Sequence, residues 1–232
     1  MNWSEIIAAF LNAAGVIIAA IIGVGLLDRS IKRNFTSSLY SYSDKGRNAK
    51  QIMRGATHDI YIVANCGNNL LDEYQNFLCM LLKSGITLNI LILEKTGYVT
   101  MDSYVSNGVS KSTASHKAMY DSLQHLAEMQ SFGYDNLHIR TFPLIFTASY
   151  IGVDIEVDPI TARYQESSVL QTMFYQYLVA PKDSPTVCYT VKSNPTYFKR
   201  TIESIMQMWD DATERPDISE YLNQYKNNID MK

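Results

Sequence analysis

His138-Ile139-Arg140 sets an imidazole and a guanidinium two residues apart. On a strand that spacing places both on one face, where the first could serve as a base or nucleophile and the second could hold a negative charge. Alternation with Leu137, Ile139 and Thr141 assigns the pair instead to the solvated face of an amphipathic strand. His116 and His125 share a helical stretch without a metal-ligand pattern, and His58 marks a strand start, so no metal site is expected. The three cysteines, Cys66, Cys79 and Cys188, are odd in number and fit no metal motif, and Cys79 has apolar neighbours. Neither a disulfide nor a cofactor is expected from them. The run Asn65-Cys66-Gly67-Asn68-Asn69 follows an apolar strand and precedes a helix, where open α/β sheets gather ligands on backbone N–H groups and amides. Equally, it reads as a polar turn with an Asn N-cap.

The elements that must position these groups follow from periodicity. HDIYIVAN is a β-branched run, LLDEYQNFLCMLLKSG has helical spacing and stops at Gly85, and ITLNILILE is a second strand. Residues 58–94 therefore form a strand, helix, strand unit of the length of a right-handed parallel crossover. A polar loop over 96–112 leads to a helix in STASHKAMYDSLQHLAEMQSFG, then to the strand NLHIRTF. IFTASYIGVDIEV reads as a strand or hairpin that Gly152 allows to bend, and LQTMFYQYLVA as a further strand. After the loop PKDSP, TYFKRTIESIMQMWDDA is an amphipathic helix with Phe198, Ile202, Ile205, Met206 and Trp209 on one face, ended by Pro216.

This order of elements resembles the phospholipase D-like superfamily. There the catalytic strand carries His-x-Lys and, after four intervening residues, Asp, with the His attacking a phosphodiester. In TASYIGVD the corresponding positions are Thr147, Ser149 and Asp154. Thr147 supplies no imidazole and Ser149 no fixed positive charge, so the resemblance implies a degenerate active site: the fold without the reaction. It covers roughly residues 55–212 and includes the closing helix with its Trp209.

The N-terminal run IIAAFLNAAGVIIAAIIGVGLL, Ile6 to Leu27, holds no charge, and its roughly 22 positions match the roughly 20 needed to span a bilayer. Arg29, Lys32 and Arg33 follow it closely and Glu5 alone precedes it, which orients the remaining chain to the cytoplasmic side. Asn12, Gly15, Ala19 and Gly23 form a small-residue stripe suited to helix self-association, although Ala and Gly are common in membrane helices anyway. The expected fold class is α/β: a single transmembrane helix followed by a phospholipase D-like sandwich with a mostly parallel or mixed sheet. The expected segments are 1–28 anchor, 29–54 basic juxtamembrane linker or helix, 55–215 cytoplasmic domain and 216–232 polar tail. A net charge of −3 and a pI near 5.8 argue against direct nucleic-acid binding, and the basic cluster suits anionic lipid.

This architecture resembles the membrane effectors of bacterial antiphage systems such as retrons and cyclic-nucleotide-triggered defence. The resemblance implies a non-enzymatic effector at the bacterial inner membrane, with lipid bilayer, its own copies and an inhibitory protein or ribonucleoprotein complex as partners. Two alternatives stay open: a membrane-tethered phosphodiesterase-like enzyme with a non-standard site at Thr147, Ser149 and Asp154, and a passive anchor or sensor for a cytoplasmic partner.

Overall fold

A computed structural model describes residues 39–41, 49–94, 111–156, 164–165, 167–174 and 184–229. The chain divides into the units Met1–Ser38 and Leu39–Lys232, the first wholly outside the described residues.

In chain order the second unit is β1 (Leu39–Ser41), α1 (Ala49–Met53), β2 (Asp59–Ala64), α2 (Asn68–Lys83), β3 (Thr87–Leu93), α3 (Lys111–Ser131) and β4 (Leu137–Phe142). It continues through β5 (Ala148–Val153), β6 (Val169–Phe174), β7 (Pro185–Thr190), α4 (Pro195–Asp210), β8 (Thr213–Glu214) and α5 (Ile218–Ile229). These strands form one sheet in the order β1-β7-β6-β5-β2-β3-β4-β8. β2, β3 and β4 run parallel through the α2 and α3 crossovers, and every other pairing is antiparallel. β2 is buried at every position and β3 at all but its first, as expected of strands covered on both faces.

Strand register sorts the side chains. Tyr61 lies beside Asn89 and Gly152, and Asn89 beside His138, so these four share one face. Trp209 of α4 meets that face, edge-on to Tyr61 with ring centroids 5.4 Å apart. The right-handed crossovers put α2 and α3 together on the other face. There Gln130 of α3 accepts from Ile218 N (2.9 Å) at the start of α5, and Arg215 Nε donates to Thr141 Oγ1 (2.9 Å).

The expected transmembrane component of the fold class is corrected. Among the described residues no helix is long and apolar enough to cross a membrane, and the helices that cover the sheet keep charged faces. The fold described is a mixed α/β sheet. The run Ile6 to Leu27, its stripe Asn12, Gly15, Ala19 and Gly23, and the basic residues Arg29, Lys32 and Arg33 all lie outside the described residues.

The C-terminal segment differs from a polar tail. Asp217 accepts from Glu220 N (3.0 Å) and so caps α5, which buries Ile218, Tyr221 and Tyr225. Arg215 anchors its approach: Nη2 donates to Glu94 Oε1 (2.9 Å), and the guanidinium lies 4.3 Å over the Tyr221 ring. With Tyr225 only 1% exposed, Tyr225→Ala should cost about 3 kcal/mol in urea unfolding, the scale of a large aromatic deletion from a core. A polar tail would show no change in midpoint.

Candidate functional site

Thr147 is exposed just before β5, Ser149 is half-buried within it, and Asp154 follows its far end, fully buried. At ~3.3 Å per strand residue, Ser149 and Asp154 stand about 16 Å apart. The structure therefore does not bring Thr147, Ser149 and Asp154 into one site.

Asp154 has another occupation. Its Oδ1 accepts from the backbone N–H groups of Thr57 (3.0 Å), His58 (2.8 Å) and Asp59 (3.3 Å), and its Oδ2 from Thr57 Oγ1 (2.9 Å). Its own N–H donates to Asp59 O (2.9 Å), and its carbonyl accepts from Ser168 Oγ. The residue takes a left-handed backbone, φ 50°, a conformation Asp tolerates better than most side chains. This carboxylate fastens the start of β2 to the end of β5.

A second carboxyl lies alongside. Asp59, 5% exposed, accepts from Ile155 N (3.1 Å). Burial above all, with the neighbouring charges of Glu156 and Asp154, raises it to about 7, against the hydrogen bonds from Ile155 and Glu156. Glu156 Oε1 accepts from Tyr61 Oη (2.7 Å), and burial together with that bond holds the Tyr61 phenol far above its ordinary range. Ile155 folds back over Gly152, where a Cβ would stand 2.5 Å from Ile155 Cδ1. Gly152 is needed for that close approach.

The Asn65 to Asn69 run is used locally. Asn65, buried, donates from Nδ2 to Phe146 O (3.0 Å) and accepts at Oδ1 from Phe146 N (2.9 Å), serving as a surrogate strand partner for that backbone. Gly67 is the α2 N-cap with φ 76°, Cys66 is half-buried, and Asn68 and Asn69 begin α2. Asn68 also lines a small acidic groove with Asp72, Asp121 and His125, whose Nδ1 pairs with Gln75 Oε1 at 2.8 Å. Among the described residues no group of three His, Cys, Asp or Glu is placed to hold a metal. His138 and Arg140 do alternate outward along β4, but Arg140 is not simply solvated. Its guanidinium lies 4.7 Å over the Trp209 ring and its Nη1 donates to Trp209 O (2.7 Å).

Among the described residues a groove of about 1310 Å³ runs along α4. Ile202 and Met206 of α4 and Ile155 of the loop after β5 make its apolar floor. Tyr61, Trp209, Glu156 and Asp210 surround one end, while Lys192 and Lys199 stand at the other, and Tyr164 adds a further ring. Of its lining, Ile202, Met206 and Trp209 lie on the helix face read from the sequence, whereas Glu156 and Lys192 carry no local signal.

No family model matches the chain, and no curated protein matches it. Among solved structures it is similar to TrmBL2, an archaeal chromatin protein described as showing a novel mode of DNA binding. The identity is 12%, covering 91% of this chain and 67% of that one, with a TM-score of 0.40. Beside this neighbour the expectation of no direct nucleic-acid binding is corrected and withdrawn; at that TM-score the likeness carries no argument for DNA binding here.

Two predictions follow from the carboxyls. Asp154→Asn replaces one of the two acceptor oxygens with an NH2 group that faces its former donors and should lower stability by about 2–4 kcal/mol in chemical denaturation, the scale of breaking a buried hydrogen-bond network. Folded Asp59 keeps its proton to about pH 7 whereas the unfolded side chain loses it near 3.8, so the native state binds more protons in that window. Its contribution is fully present below about pH 3.8 and is lost as pH rises through about 7; Asp59→Asn should flatten that decline in unfolding midpoint between pH 4 and 7.

Proposed function

We propose that the domain is a catalytically silent phospholipase D-like module that works by binding rather than by cleaving phosphodiesters. The observation that carries this reading is the occupation of Asp154: its carboxylate is committed to the backbone of Thr57, His58 and Asp59, about 16 Å from Ser149 by strand rise. An acid so placed serves the sheet rather than a substrate at Thr147 or Ser149. The positions where the superfamily has its nucleophile and its cation hold a hydroxyl each.

In this form the antiphage-effector role rests on the resemblance alone. It asks of the domain only that it engage a controlling partner, a protein or ribonucleoprotein complex, and change state when that partner leaves. The expected behaviour is that of a protein whose output is an interaction.

The test is turnover of bis(p-nitrophenyl) phosphate by the purified full-length chain, with and without divalent cations. The expected rate equals the buffer background and is the same for Thr147→Ala and Ser149→Ala. Turnover above background that either substitution abolishes would overturn the reading and favour a non-standard phosphodiesterase.

A further inference from the structure

Asp59, Asp154 and Glu156 bring three carboxyl groups to the junction between the start of β2 and the turn after β5, and they are held very unequally. Asp154 is fully buried and accepts from the backbone N–H groups of Thr57, His58 and Asp59 and from the Thr57 hydroxyl. Asp59 is buried too and accepts from Ile155 N. Glu156 is exposed, and its Oε1 accepts from the Tyr61 hydroxyl at 2.7 Å. The acid most able to move is therefore the one that holds Tyr61.

Strand geometry couples Asp59 to Glu156. Asp59 and Tyr61 share one face of β2, about 7 Å apart by strand rise. Ile155 bonds Asp59 through its N–H and the next residue, Glu156, bonds Tyr61 through its side chain, so adjacent residues of one turn are fastened to the same strand face. Among the described residues, β3 sets the uncharged Thr87 beside Asp59 in register, and Arg140 of β4 acts on Tyr61 by its charge while lying over Trp209. Asp210 of α4 lines the same groove as Tyr61 and Glu156, and Ser168, before β6, donates to Asp154 O. Burial first, then the negative charges of Glu156 and Asp154, keep the proton on Asp59 to about pH 7.

Loss of that proton sets a further buried negative charge beside Asp154 and Glu156. Asp154 can retreat only by abandoning three backbone donors, whereas Glu156 gives up one hydroxyl and gains solvent. The repulsion is therefore relieved through Glu156. We propose that the turn after β5 is a proton-operated latch on the α4 groove: with Asp59 protonated, Glu156 holds the Tyr61 hydroxyl against the groove wall, and with Asp59 ionised, Glu156 swings into solvent and frees that hydroxyl. The latch sets the shape of the wall and is independent of whether Thr147 and Ser149 support turnover.

The test follows Tyr61 by NMR in the full-length chain carrying 13Cζ-labelled tyrosine, from pH 5 to pH 9. The Tyr61→Phe spectrum assigns the resonance among the 16 tyrosines. The Tyr61 signal should shift in one step with a midpoint near pH 7. Asp59→Asn should lose the step and stay at the low-pH position throughout. Glu156→Gln keeps an acceptor for the hydroxyl without the charge, and it should lose the step as well. Should Asp59→Asn fail to fold, Glu156→Gln, at an exposed position, carries the test alone. A flat Tyr61 signal in the unsubstituted chain would overturn the proposal, and so would a step that survives either substitution with its size and midpoint unchanged.

Discussion

Everything on the groove side of the sheet hangs from one buried carboxylate. Asp154 gathers three consecutive backbone N–H groups from the turn before β2, donors that a strand start otherwise leaves without partners. Unpaired, each would cost on the order of 1–3 kcal/mol. The interaction joins residues 95–97 apart in sequence and so fixes the register of the antiparallel β2–β5 pair.

The same turn shapes the groove. With Asp154 in the left-handed region, the chain reverses so that Ile155 lies over Gly152 and Glu156 reaches the Tyr61 hydroxyl. A polar contact at the strand end thereby delivers a carboxylate to the rim and an aliphatic side chain to the floor. Trp209 closes the other side, held by Tyr61 at its edge and Arg140 over its face. Tyr61 thus joins Glu156 and Trp209 along one wall of the groove.

The parallel half of the sheet was legible in the sequence because its signals are local. The apolar runs of β2 and β3, the helical spacing of α2 and the stop at Gly85 each lie within one element. The antiparallel half was read less well. Pro185–Thr190 was passed over as the sequel of a loop, although TVCYT is β-branched and aromatic, and β1 and β8 are too short to show periodicity. The C-terminal helix carries its own signals, Asp217 and Glu220 at capping-box spacing and apolar residues at 218, 221, 222 and 225, but Pro216 both ends one helix and precedes the next, which masks them. The groove was invisible for a different reason. Glu156, Lys192 and Asp210 are ordinary charged residues until the sheet order brings their elements side by side, and no local pattern encodes a sheet order.

The strand order also bears on how the domain assembles. β1 at one edge pairs with β7 roughly 150 residues later, Leu39 against Val187, and β8 closes the opposite edge from the far side of α4. Both margins of the sheet thus come from the first and last described strands, so their pairing demands closure of long loops before it gives any stabilisation. Until those partners arrive, β4 and β7 carry unpaired backbone along part of their length and present a template to other chains. This topology favours slow, all-or-none assembly. It makes intermolecular strand pairing the characteristic hazard of the unfinished domain.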